Sequence, residues 1–316
     1  MAKADANKAD ATSIILHQYD VSPFSEKVRV ALGIKGLDWF ACDEPVIMPK
    51  PELTSLTGGY RKIPVMQIGA DIYCDTQITL RELEKRYPAP TLFPGEDKGL
   101  GWGLSMWTDR ILFQTAVAVI FGGAGDAVDE AFKKDREALT GRPFDTDAMK
   151  AAVPLMTEQL RAQLGWIEEQ LADGRDFLMG DKPGLADASG FYNLAFMRWI
   201  HPQGAAMVEH MPKLAAWEER VKAIGHGNRQ EISRDDALAI AKASTSVEKE
   251  AADPNEPNGW KPGDLVSVTP DDYGRDPVVG VVVSSSAQHI AIHREDMPVG
   301  DVVVHFPRAG FFVMPA

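Results

Sequence analysis

Cysteine is scarce in this 316-residue chain, with Cys42 and Cys74 its only two. They stand in no CxxC or metal-ligand spacing, which leaves no disulfide framework or dithiol redox centre, and two free thiols fit a reducing compartment. Basic residues are outnumbered, 33 Lys and Arg against 46 Asp and Glu, for a formal charge of -13. That balance argues against nucleic acid or an anionic membrane surface as a partner. Long apolar runs are missing too. The most apolar stretch, 111–121, is interrupted by Gln114 and Thr115 and stops at Gly122-Gly123, too short to span a bilayer. The first thirteen residues are polar, without the apolar core of a signal peptide, and residues 1–12 read as a disordered tail. There is no internal repeat. The expectation is a soluble, cytoplasmic globular protein.

What is present is organised around Ile14 to Leu32. Ile14, Ile15 and Leu16 form a short apolar run, Ser22-Pro23-Phe24-Ser25 follows, and Val28, Ala31 and Leu32 then recur at helical spacing. This predicts strand, tight turn and helix, with Ser22 as N-cap and Pro23 at the first helical position. Unpaired backbone donors and the positive end of the helix dipole make that helix start a place for an anion. Trp39 to Cys42 reads as a second strand, giving a βαβ unit. Val65 to Cys74, turning at Gly69-Ala70, reads as a hairpin, and Asp75-Thr76 opens a helix that runs to Tyr87.

From Gly95 the pattern is helical. Leu155 to Leu171 marks one face of a long helix, and 185–200 is apolar on nearly every side, as for a helix in the middle of a bundle. Pro212 to Ile224 and Asp235 to Ala243 add two more, and polar Phe132 to Asp145 reads as a solvated loop. Residues 247–259 are charged and rich in Pro, Asn and Gly, as in a linker. Beyond them, short β-branched runs between turn signals such as Asp271-Asp272-Tyr273-Gly274 predict a small antiparallel barrel or sandwich. His289, His293 and His305 are scattered there and read as surface residues; no metal site is expected. The expected organisation is thus 13–94, an α/β domain; 95–246, an all-α domain; 247–259, a linker; and 260–316, a small all-β domain.

Three blocks in combination, SPFSEKVRVAL, then RKIPV with YCDTQITLRELEKRYP, then FLMGDKPGLADASG with PKLAAWEERV, resemble a cytosolic glutathione S-transferase of the serine type (tau-, zeta- and omega-like). The resemblance covers about 14–244 and leaves the β-rich tail outside. It implies a thioredoxin-like domain followed by a helical domain, a homodimer, and glutathione as co-substrate, conjugated to a hydrophobic electrophile. It makes Ser22 the residue that stabilises the glutathione thiolate, with Tyr19 and Ser25 as fallback hydroxyls. It places the cysteinyl backbone against Ile63 and a cis Pro64, the γ-glutamyl group on Asp75 and Thr76, and the glycyl carboxylate near Lys50 and Lys62. Asp75-Thr76 departs from the more usual Glu-Ser, and Gly184 from the hydroxyl that opens the S/T-x-x-D box ending at Asp187. A glutathione-dependent reductase or dehalogenase and a non-catalytic binding protein are the alternative readings.

Overall fold

Two parallel strands in one sheet need a crossover, and helix α1 (Pro23–Lys35) supplies it between β1 (Ile15–Gln18) and β2 (Asp38–Asp43). The computed structural model describes residues 8–95, 98–200, 206–296 and 298–316; of the expected N-terminal tail, residues 1–7 lie outside that description. β1 runs parallel to β2, with Ile15 opposite Phe40 and His17 opposite Cys42. On its other side β1 pairs antiparallel with β3 (Val65–Ile68), which forms the expected hairpin with β4 (Asp71–Cys74) through Gly69 at φ 59°. One face of this sheet, with Leu16, Met66 and Tyr73, packs on α1 and α3 (Thr76–Arg86). The other, with Val65, Ile72 and Cys74, packs on α2 (Pro51–Thr57).

The helical unit begins with α4 (Lys98–Trp107), which passes through a π-helical turn at Thr108–Leu112 into α5 (Phe113–Ala124). The segment expected as a solvated loop is helical instead. In α6 (Glu130–Thr140), Asp129 caps the first turn by accepting from Phe132 N, and Gly141 ends it at φ 67°. Its polarity reflects exposure, while Phe132 packs on Phe121 and Phe144. Then follow α7 (Thr146–Gln170), α8 (Leu185–Ile200) and α9 (Pro212–Ile224). Every residue of α8 from Leu185 to Met197 is buried, as a helix apolar all round requires. Asp187 carboxyl oxygens accept from Gly184 N at 2.9 Å, Leu178 N at 2.8 Å and Trp217 Nε1 at 2.7 Å, so the box holds without its first hydroxyl. No helix among the described residues is long and apolar enough to cross a membrane.

The chain then returns to the sheet. β5 (Asn228–Ile232), which the sequence pattern did not predict, pairs in parallel with β2, and α10 (Arg234–Ala243) covers Ile15 and Cys42. Next come β6 (Leu265–Pro270), β7 (Val278–Ser285), β8 (His289–Asp296), β9 (Gly300–Pro307) and β10 (Phe311–Pro315). They form neither a closed barrel nor a separate sandwich. β9 lies parallel to β4, with Ile72 opposite Val304, so one ten-stranded sheet runs in the order β10-β6-β7-β8-β9-β4-β3-β1-β2-β5. A core built from about sixty residues alone is marginal. Val302, Val304, Ile292 and Phe306 accordingly share a core with Leu53, Leu56 and Ile72. The segment expected as a free linker is tied down as well: Glu248 accepts from Ser284 Oγ and Glu256 from Arg308 Nη1.

A buried polar chain crosses the β4–β9 seam. His305, expected at the surface, is 1% exposed; its Nε2 lies 2.9 Å from Asp71 Oδ1 and its Nδ1 3.0 Å from His289 Nε2, with the ring stacked on Tyr73. Ser246 Oγ and Val247 N also donate to Asp71. Burial alone raises the Asp71 carboxyl; these donors outweigh it and hold the group below its ordinary 3.8. The stability that Asp71 confers is therefore present above pH 3.8 and lost as pH falls below it. His305→Ala should cost about 2 kcal/mol in urea unfolding at pH 7, with the deficit shrinking below about pH 4. A deficit unchanged across that range contradicts the assignment.

Candidate functional site

β1 delivers the chain to the start of α1, where Ser22 (φ -79°, ψ 118°) caps the helix by accepting from Ser25 N at 3.2 Å. Ser22 is 1% exposed; Ser25 is buried too, and its hydroxyl has no partner among the described residues. Phe24 packs against Phe113 and Tyr192, with ring centroids 4.7 and 5.2 Å away, which joins this turn to the helical unit. Lys50 occupies the N-cap position of α2, buried, with its ammonium 5.5 Å from the centre of the Tyr19 ring. Burial and the nearby Arg136 charge bring it down to about 8.

The Ile63–Pro64 bond is cis and leads straight into β3. At the end of β4, Asp75 caps α3 by accepting from Gln77 N at 2.8 Å, with its backbone at φ 93°, ψ 146°. That region is nearly reserved for glycine and costs on the order of 1–3 kcal/mol for other residues. Burial pushes the Asp75 carboxyl up to about 6. Thr76 is buried, and its hydroxyl accepts from Lys27 Nζ at 3.2 Å. Lys27 is fully buried and also donates to Ser105 Oγ at 2.7 Å and Asp109 Oδ2 at 2.6 Å. Its three protons thus have three acceptors, two of them from the helical unit.

The Ile63–Pro64 step and the start of α3 face one cleft. Lys62, Ile63, Pro64, Asp75 and Thr76 line one side, Phe24, Met106, Asp109 and Arg110 another. The third wall comes from the tail, with Asp272, Tyr273, Gly310 and Phe311. Five of the seven residues assigned from sequence meet there. Ser22 and Lys50 do not: both are buried and neither is part of the lining. Sequence reasoning missed Lys27, Asp109, Asp272 and Tyr273. Lys27 reads as the polar face of an amphipathic helix, but α1 is enclosed between the sheet and α8, and the signal lay in EKVR, where Glu26, Lys27 and Arg29 are all buried.

His17, Cys42 and Glu44, on neighbouring strands and the loop after them, also come together, with ligand-type atoms within 4.8 Å of one another. Gln67 Nε2 donates to Gly69 O and Ala237 O, so its Oε1, 2.9 Å from His17 Nε2, is an acceptor. His17 Nδ1 faces Glu44 Oε1 at 2.9 Å, a hydrogen-bond distance. The cluster therefore reads as a buried ion pair tying β1 to the end of β2.

Comparison with known proteins agrees with this architecture. The glutathione S-transferase N-terminal domain family matches over 16–91, and a domain of unknown function over 117–229. A GST-like protein from Pseudomonas syringae, solved by crystallography, is 36% identical over 96% of this chain and 100% of that one, with a TM-score of 0.79. The chain belongs to the glutathione S-transferase superfamily. At 96% of the chain, that match extends into the β-rich tail. Rice GST1, solved in complex with glutathione, is 19% identical over 71% of this chain and 94% of that one, with a TM-score of 0.52. The FtsZ-localized protein A of Caulobacter vibrioides is 27% identical over 190 residues, 58% of this chain and 77% of that one.

The Asp75 backbone gives a direct test of strain in this transferase-like cleft. Both Asp75→Gly and Asp75→Ala remove the capping carboxyl, but only glycine relaxes the positive φ. Asp75→Gly should unfold at higher urea than Asp75→Ala, by about 1–2 kcal/mol. Equal stability contradicts a strained position.

Proposed function

We propose that the cleft binds glutathione and that the bound thiolate attacks a hydrophobic electrophile. The observation that carries this reading is the convergence on one cleft of Lys62, the cis Ile63–Pro64 at the head of β3, and Asp75-Thr76 at the start of α3. Each fits a different part of the tripeptide. The backbone at Ile63 meets the cysteinyl amide as a short β-augmentation. Thr76 and the free N–H groups of α3 take the γ-glutamyl carboxylate, Asp75 its ammonium, and Lys62 the glycyl carboxylate. The fold shared with rice GST1, which was solved with glutathione, supports the choice of ligand.

Ser22 is then the thiolate's hydrogen-bond donor at the N-terminus of the 13-residue helix α1. Hydrogen bond and dipole both favour the anion, so the thiol loses its proton to solvent while the serine keeps its own. The thiolate sulfur forms the new bond to the electrophile, and the displaced group leaves with the electron pair. A second reading, a glutathione-binding protein without turnover, is favoured by one feature: Ser22 is buried and lies outside the cleft lining.

Calorimetry with glutathione, combined with thiolate absorbance titrations, separates the two. In the transferase reading the bound thiol titrates below the ordinary value of about 8.5. Ser22→Ala should return it upward by about one unit, about 1.4 kcal/mol. An unchanged thiol pKa in Ser22→Ala removes serine from the mechanism and brings Tyr19 or Ser25 forward. A thiol that titrates normally in the wild-type complex favours binding without turnover.

A further inference from the structure

The tail lies across the cleft. The turn between β6 and β7 places Asp272 Oδ1 2.6 Å from Lys62 Nζ, and the Tyr273 ring 4.2 Å from the same ammonium. Asp271 forms a second ion pair, 2.6 Å from Arg110 on the opposite wall. Gly274 N donates to Leu139 O of α6 at 2.8 Å, so the turn is tethered on both sides. Gly274 sits at φ 62°, a left-handed conformation that favours glycine, and it lies close against the Leu139 and Lys62 side chains. With the turn in place the cleft keeps about 60 Å³ of open volume. That holds a few waters, whereas pockets enclosing small ligands run to roughly 300–1,000 Å³. Asp272 and Tyr273 thus take up space beside Lys62, Ile63 and Asp75 in the cleft.

We infer that the turn Asp271–Gly274 is a built-in competitor for the cleft: Asp272 holds Lys62 in place of a ligand carboxylate, and Tyr273 occupies the ligand's space. Glutathione enters as the turn swings out. This rests on the glutathione reading above. The sheet beneath cannot move with the turn, because β9 is paired to β4 and shares its core. The movable part is therefore the short segment between Pro270 and Val278, of which Arg275, Asp276 and Pro277 are exposed. The ion pairs that hold it are partly exposed, so salt weakens them.

The test is calorimetric titration with glutathione of the full-length protein and of the double variant Asp272→Asn, Tyr273→Ala, with hydrogen exchange of the 271–277 segment measured without ligand. Removing the competing carboxylate and the ring should tighten glutathione binding about tenfold or more and speed exchange at Gly274. Asp272→Asn alone should tighten glutathione but not its glycyl monoethyl ester, which lacks the carboxylate that Asp272 mimics. Wild-type binding with equal or weaker affinity in the double variant overturns the competitor and leaves the glutathione reading standing. Faster exchange with no glutathione binding to either protein overturns the glutathione reading, and the competition with it. Unchanged exchange in the double variant overturns Asp272 and Tyr273 as the groups that hold the turn in the cleft.

Discussion

The parallel pairing of β9 with β4 is the contact on which the rest of the molecule depends. Without it β4 would end the four-stranded thioredoxin-like sheet with a row of unsatisfied donors and acceptors, an arrangement that proteins cover or blunt. Val303 N donates to Ala70 O at 3.0 Å, and His305 meets Asp71 across the same seam. A buried carboxylate is costly unless it is fully partnered. Asp71 finds its partners in His305 of β9 and in Ser246 and Val247, so one group fixes both β9 and the start of the segment expected as a linker.

That seam decides what the cleft looks like. The fold brings an α/β unit and a helical unit to opposite sides of a groove, with the buried Lys27 ammonium bonded to Thr76 on one side and to Ser105 and Asp109 on the other. The β9–β4 pairing then carries β6, β7 and β10 over the open side, so Asp272 and Tyr273 become part of the lining. The carboxylates Asp75, Asp109 and Asp272 stand beside Lys62 and Arg110, and the cleft compensates its own charge before any ligand arrives.

Much of this was legible in the residues. The strand–Ser-Pro–helix at Ile15 to Lys35, the Gly69-Ala70 hairpin and the wholly apolar α8 each carry their own local signal. Lys62, Pro64, Asp75 and Thr76 were assigned through the family resemblance, and the hairpin and helix-cap signals around them fix where they lie in the fold. Other features had no local signal. The pairing of His305 with Asp71 joins residues 234 positions apart, and nothing in alternating Val and His says whether a strand stands alone or joins another sheet. β5 was missed because Asn228–Ile232 is a polar edge strand whose pattern is that of a loop. Helix α6 was hidden by its own exposure, since polarity alone separates a solvated helix from a loop poorly.

The β-rich tail and the thioredoxin-like unit share one ten-stranded sheet, which should therefore unfold as a unit. Native-state hydrogen exchange in rising urea tests it most directly, at Val303 N, bonded to Ala70 O across the seam, and Phe40 N, bonded to Ile14 O within the thioredoxin-like sheet. In a sheet that unfolds as one unit, both amides open with the same free energy, in one global transition. Opening at Val303 that is easier by several kcal/mol than at Phe40 would contradict it, because the tail would then be a separately folding appendage.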